Sequence, residues 1–380
     1  MAFPAFAIND RVTDWLSDDV KFNPGGLTLG PFDLRPRLSG TAVYDDNIYI
    51  HTQTNKADLI WVLSPGLSMA SGNYLRGGER FLKLDYSPSF LFFLDQTQNN
   101  SIDHDANVSG QWQIAKLTLS LQQQVQVSSG GVLEAGNRVK RHIYNTSIAG
   151  KYPLGGKTSL EITARQSIND YANLIGSKEW SEQNFVDYQW TPKTTFGLGL
   201  TFGYRDVNQN PSQTYEQFLT RVSYGYSGKT DFHATFGGEL AQYGGSGGRS
   251  SFGPVFSLGV GYQPYEATTV SLEAYRRDQN SAVLAGQNYT TTGLSASARQ
   301  RFLHKMFFTL GGGYDNLDYH ATTTGVSANR EDNYLFVRFN FEWNVTARWL
   351  VGAFYLRREN HSNTLPFSNN QVGVQSAFTF

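Results

Sequence analysis

The chain contains no cysteine, so disulfide scaffolds, thiolate metal sites and thiol catalysis are excluded. Only 17% of its 380 residues are charged, below the roughly 25% usual for soluble domains. The formal net charge of -1 leaves no basic footprint for nucleic acid. No run approaches the roughly 18 apolar residues of a membrane helix. The longest candidate is Trp349 to Leu356 in a chain whose mean hydropathy is -0.40. After about residue 30 there is no linker, charge block or composition shift to mark a second domain. What the chain has in plenty is aromatic side chains (14%), whose apolar surface rules out disorder, and glycine (38 residues).

Alternation is the dominant pattern. Phe32, Leu34, Pro36, Leu38, Gly40, Ala42 and Tyr44 form one side of a strand, and Asp33, Arg35, Arg37, Ser39 and Thr41 form the other. Leu82, Leu84 and Tyr86 alternate with Lys83 and Asp85, and Ile102, Ala106 and Val108 oppose Asp103, Asp105 and Asn107. Leu117, Leu119, Leu121, Val125 and Val127 alternate with an uncharged stripe of Thr118, Ser120, Gln122, Gln124 and Gln126. Eight short connections and nine longer polar ones alternate along the chain, giving about eighteen strands between residues 31 and 380. A negative mean hydropathy agrees with membrane strands, because only every second residue must be apolar. The reading is an all-β, transmembrane, antiparallel up-and-down barrel over residues 27–380. Its apolar faces meet lipid and its polar faces line a lumen.

Three further features support lipid as the outer solvent. Tyr44, Trp61, Tyr86, Trp112, Tyr152, Trp190, Tyr204, Tyr226, Tyr262, Tyr314 and Trp343 fall near expected strand ends, as interfacial girdles require. Unpaired backbone groups in hydrocarbon cost several kcal/mol each, so the first and last strands must pair. An even strand number then leaves both termini on the short-turn side, assigned as periplasmic. The final strand, with Val372, Val374, Phe378 and Phe380 against Gln371, Gln375 and Thr379, resembles the terminal signature that the bacterial barrel-assembly machinery reads.

A wider resemblance rests on Leu29-Gly30-Pro31-Phe32-Asp33-Leu34-Arg35-Pro36-Arg37-Leu38, on Tyr44-Asp45-Asp46-Asn47-Ile48-Tyr49, on Leu63-Ser64-Pro65-Gly66-Leu67 and on Leu84-Asp85-Tyr86-Ser87-Pro88. These stretches resemble the beta-barrel porin 2 family, the likeness spanning residues 29 to 380. It implies a Gram-negative outer-membrane barrel bounded by lipid and lipopolysaccharide, with a link in some members to exopolysaccharide export and hence to a periplasmic export partner.

Residues 1–26 do not alternate. Ile8, Val12, Trp15, Leu16 and Val20 recur at helical spacing, with Asn9 or Asp10 as N-cap and Pro24-Gly25 as a stop. They form either a short periplasmic helix that plugs the lumen or docks a partner, or a tail on the barrel mouth. No charged-then-apolar leader precedes them, so a precursor with a signal peptide is expected.

Catalytic and metal motifs are weak. Gly244-Gly245-Ser246-Gly247-Gly248 matches the nucleophile-elbow letters, but the motif works only on a strand-to-helix turn. In Asp103-His104-Asp105 a strand turns the histidine away from both carboxylates. Asp45-Asp46-Asn47 reads as a tight turn ahead of a calcium site. No catalytic residue, metal or cofactor is expected. The expected pore lining is Arg35, Arg37, Lys83, Asp85, Asp103, Asp105, Ser120, Gln122, Gln124, Gln126, Arg165, Arg205, Arg221, Asp231, Glu239, Glu273, Arg277, Arg299, Arg338 and Glu342. Both signs occur, so the reading is a passive aqueous channel of weak ion selectivity for hydrophilic solutes, with the glutamine stripe suited to saccharides. The alternative is a non-conducting barrel that anchors an export or surface complex.

Overall fold

A computed structural model describes residues 27–51, 55–72, 80–226, 228–245 and 247–380. Among them are eighteen long strands. The first six are β1 (Phe32–Asp45), β2 (Asp58–Gly72), β3 (Phe81–Phe93), β4 (Ser101–Ile114), β5 (Leu117–Ser128) and β6 (Arg141–Pro153). The next six are β7 (Thr158–Tyr171), β8 (Ser177–Thr191), β9 (Thr194–Val207), β10 (Gln213–Tyr226), β11 (Thr230–Tyr243) and β12 (Ser250–Tyr265). The last are β13 (Thr268–Asn280), β14 (Gln287–Phe302), β15 (Met306–Ala321), β16 (Glu331–Asn344), β17 (Trp349–Ser362) and β18 (Phe367–Thr379). A three-residue strand, Leu27–Leu29, folds back on the start of β1.

Every strand pairs antiparallel with its neighbour, and β1 pairs with β18 from Arg37 opposite Thr379 to Asp45 opposite Gln371. The sheet is therefore a closed ring with no edge to satisfy. Alternation places residues as the hydrophobic effect requires. On β1, Arg35, Arg37, Ser39 and Asp45 are buried on the inner side, while Leu38 and Tyr44 are exposed on the outer. Leu198, Phe218, Phe236 and Val374 continue the exposed apolar surface around the ring. Following the register once around displaces the path by about 22 residues along β1, so the strands tilt by about 40° and the backbone radius is about 17 Å.

Because of that tilt, a level line shifts by about 1.2 residues at each strand. On such lines Tyr44, Trp61, Tyr144, Trp180, Tyr204 and Tyr314 lie within about two residues of one another near the long-loop rim. Trp112, Tyr152, Tyr188, Tyr262 and Trp343 gather within about three residues near the short-turn rim. The two belts are about 20 Å apart, close to the height of the apolar band of membrane barrels. Tyr86, expected at a strand end, sits instead midway between the belts. Its hydroxyl meets His104 Nδ1 at 3.0 Å with the rings stacked.

The interior departs from a simple polar tube. Val43, Ile60, Val62, Leu91, Phe93, Phe354 and Leu356 form a buried apolar patch on the inner wall of β1, β2, β3 and β17. The loop after β1 folds inward and covers this patch with Ile48, while Ile50 packs on Tyr334 and Phe367. Above Ile50 lies the loop 129–140, whose short hairpin runs from Gly131 to Arg138. A Cβ on Gly131 would stand 2.9 Å from Ile50 Cδ1, so any larger residue there would push the Ile50 side chain aside.

Candidate channel constriction

At about 17 Å radius the wall cannot fill its own interior with side chains, and inward-folded loops occupy it. The loop 129–140 crosses toward the β13–β14 turn. The Glu134 carboxylate accepts hydrogen bonds from the Ser281 hydroxyl and, at 2.9 Å, from the Ala282 N–H. Arg330 Nη1 donates to the Glu134 carbonyl at 2.9 Å and its guanidinium pairs with Asp332 at 2.6 Å. The base of the loop is held by Ser129 N–H donating to Asp103 at 3.0 Å and by Arg138 lying 4.7 Å over the Phe93 ring. Burial pushes the Glu134 carboxyl above its ordinary pKa, partly opposed by the bonds from Ser281 and Ala282. Burial likewise pulls the Arg138 guanidinium down, with Asp103 and Asp45 opposing.

The second inward element is the outer end of β13 and β14. Pairing between β12 and β13 stops at Phe256 opposite Arg276, so residues 250–255 of β12 pair only with β11. Pro254 lies in this stretch, where its missing N–H costs no ladder bond on the open side. Beyond Arg276 the hairpin leans inward, and Asp278 and Asn288, outward by alternation, meet the inner faces of β9 and β10. Arg205 comes within 3.9 Å of Asp278, and Gln213 Nε2 donates to Asn288 Oδ1 at 3.1 Å. Gly248 and Thr323 bridge over the tucked tip.

Most of the sequence-derived lining residues fall into separate groups along the inner wall rather than one site. On β1 and β3, Arg37 donates to Ser68 at 3.1 Å and Lys83 pairs with Asp85 at 2.7 Å, with Arg35 buried beside them. Asp103 and Asp105 share the inner side of β4 with the Ser120, Gln122, Gln124 and Gln126 stripe of β5, which continues to Asn145 at 3.4 Å from Gln124. Arg221 is clamped by Glu161 at 3.1 Å and by Asp187, and lies 4.0 Å over the Phe185 ring. Arg205 pairs with Glu179 at 2.8 Å, and Gln217 donates to Glu239 at 2.6 Å. Arg299 pairs with the buried Glu342 at 3.1 Å, and Asp231 lies 3.9 Å from His233. Glu273 and Arg338 occupy inner positions of β13 and β16. Arg165 and Arg277 are exposed toward the lumen, the latter 5.0 Å over the Tyr275 ring.

Several inner charges are not open to the lumen. Arg35, Arg37, Asp103, Arg205, Glu273 and Glu342 are buried, because the inward loops and neighbouring inner-wall side chains crowd the wall around them. Asp45 is also buried and binds the last strand: Asn369 and Gln371 donate to its carboxylate at 2.6 and 2.7 Å, and Asn370 N–H donates to Asp46 at 2.7 Å. These carboxylates latch the ring's seam. Gly244 and Gly248 lie between two strands, not at a strand-to-helix turn, and Ser246 is outside the described residues. The expected N-terminal helix, residues 1–26, is outside them too.

No family model matches the sequence, and no curated protein matches it. Solved structures do match in fold. Pseudomonas aeruginosa OccK2 (OpdF) has a TM-score of 0.50 at 12% identity, over 94% of this chain and 100% of that chain. The same protein in complex with glucuronate gives 0.49 at 12%, over 94% and 100%. Pseudomonas aeruginosa OpdO gives 0.48 at 11%, over 93% and 98%. The chain folds as a closed eighteen-strand barrel of this kind.

Glu134, Arg138 and Arg330, which build the constriction, carry no signal in the sequence because loop residues follow no period. Glu161, Glu179 and Asp187 were findable, since each takes the inner position on its strand, but opposed strands had to be paired before their arginine partners could be seen. The arrangement presents hydrogen-bonding and charged groups of both signs to a lumen narrowed by polar loop contacts.

Proposed function

We propose that the chain is a bacterial outer-membrane channel through which hydrophilic solutes pass passively, with both termini periplasmic. The observation that carries this reading is the closed ring of about 17 Å radius, apolar outside and lined inside by charged and amide side chains. A wall of that size encloses water unless its loops fill it. The uncharged Ser120 to Gln126 stripe supports saccharides as solutes, and the mixture of charges supports weak ion selectivity. The phenylalanines Phe378 and Phe380 support insertion by the barrel-assembly machinery. Liposome swelling with sugars of increasing size tests the channel. Swelling that falls with solute size is expected, and none, with the protein shown to be inserted, overturns it.

The contact between Glu134 and Ser281 across the interior favours a second reading, a barrel held shut that anchors an export or surface complex. The resemblance to the beta-barrel porin 2 family supports polysaccharide export as the pathway. Full-length protein with planar-bilayer conductance near zero selects this reading over the open channel.

A further inference from the structure

The outer face between the aromatic belts is apolar on β1, β2, β16 and β17, where Leu38, Leu63, Phe339 and Val351 meet the bilayer. On four adjacent strands it is not. Gln123 of β5, Thr146 of β6, Gln166 of β7 and Glu182 and Asn184 of β8 all take outward positions, opposite in parity to the inner stripe and to Arg165. Corrected for tilt, the five lie within about three residues of one level, near mid-depth between the belts. Polar groups in hydrocarbon are costly, and a carboxylate there marks a partner or a pathway. The chain satisfies them only in part. Thr146 donates to Gln123 at 2.6 Å and Asn184 to Glu182 at 3.2 Å, while Gln166 makes no side-chain hydrogen bond within the described residues.

We propose that this row is the contact surface for a second copy of the chain, related by a two-fold axis along the membrane normal between β6 and β7. The inference rests on the membrane-barrel reading. The symmetry sets β6 of one copy against β7 of the other, and β5 against β8. Thr146 then faces Gln166 of the second copy, and Gln123 faces its Glu182 and Asn184, each pair at matching depth and each joining a donor to an acceptor. Two convex walls approach closest at the axis, where Thr146, Gly150 and Ala164 stand beside the exposed Ile148 and Ile162. At β5 and β8, about 30° off the axis, the gap widens by about 5 Å, and there the side chains are the long Gln123 and Glu182. Side-chain hydrogen bonds across such an interface replace bonds that lipid cannot offer.

The absence of cysteine makes the test direct. Thr146→Cys and Gln166→Cys chains, carrying different tags, are co-expressed and oxidised in native outer membranes. Leu310→Cys, outward on β15 at the same depth on the opposite wall, is the control. The expected result is a cross-linked species containing both tags at twice 42.4 kDa, with at least ten-fold less from the control. Equal cross-linking at both walls, an adduct with a different protein, or inserted monomer alone each overturns the proposal. Heat-modifiable migration of the same samples separates this failure from failure of the barrel reading, because an inserted monomer still migrates as a folded barrel.

Discussion

Glu134→Ala removes both hydrogen bonds that tie the loop 129–140 to the β13–β14 turn, and leaves the Ser281 hydroxyl and the Ala282 N–H without their acceptor. A hydrogen bond between neutral groups contributes about 0.5 to 1.5 kcal/mol, and a buried donor left without its acceptor costs about 1 to 3 kcal/mol. Losing two, after allowance for water entering, weakens closure by about 3 kcal/mol, a shift of about 100-fold toward the loosened state. The pH dependence has a definite sign. Burial raises the Glu134 pKa in the closed arrangement above its ordinary 4.5, so the neutral form is the one that favours closure. Closure is therefore strongest below that ordinary value and weakens as pH rises through the raised one. Single-channel recording in planar bilayers from about pH 4 to about pH 8 should show wild-type open probability rising with pH. Glu134→Gln should stay closed throughout, and Glu134→Ala should be open throughout. A wild-type pH profile identical to both variants, with all three inserted, refutes the assignment of closure to this carboxylate.

Other variants probe separate parts of the barrel. Ile48→Ala should release the loop after β1 from the inner apolar patch at a cost of about 3 kcal/mol, seen as faster hydrogen exchange over residues 47–51 with β1 unchanged. Asp45→Ala removes the acceptor for Asn369 and Gln371 at the seam and should lower stability by about 3 kcal/mol, read as an earlier urea midpoint of heat-modifiable migration. Arg165→Ala and Arg277→Ala each remove an exposed inner cation. A unit charge about 10 Å from a passing ion in water is worth about 0.4 kcal/mol, with opposite sign for anion and cation, so each should lower the anion-to-cation permeability ratio about four-fold in reversal-potential measurements. Arg221→Ala, which uncouples Glu161 and Asp187, should shift selectivity toward cations as well.

Strand number and ring closure were legible in the sequence, because a period of two is enforced wherever one face meets lipid and the other does not. The exceptions have physical causes. Residues 59–63, Leu-Ile-Trp-Val-Leu, are apolar on both faces, and Ile60 and Val62 look inward because the loop after β1 brings Ile48 to cover them. Asp278 and Asn288 obey the alternation locally yet face inward, because β13 parts from β12 and the hairpin swings across the mouth. Nothing periodic in Glu134 foretells its contact with Ser281, which lies 147 residues away and depends on how far an irregular loop reaches. Legibility thus ended where the chain left the sheet.

The latch between Asp45 and Gln371 joins residues 326 positions apart. A ring made this way has no stable half. Until the last strand exists, β1 presents bare N–H and C=O groups along one side, and every shorter chain carries an aggregation-prone ribbon in place of a sealed wall. Closure must therefore wait for β18, and the order of assembly is written into the pairing of the first and last strands.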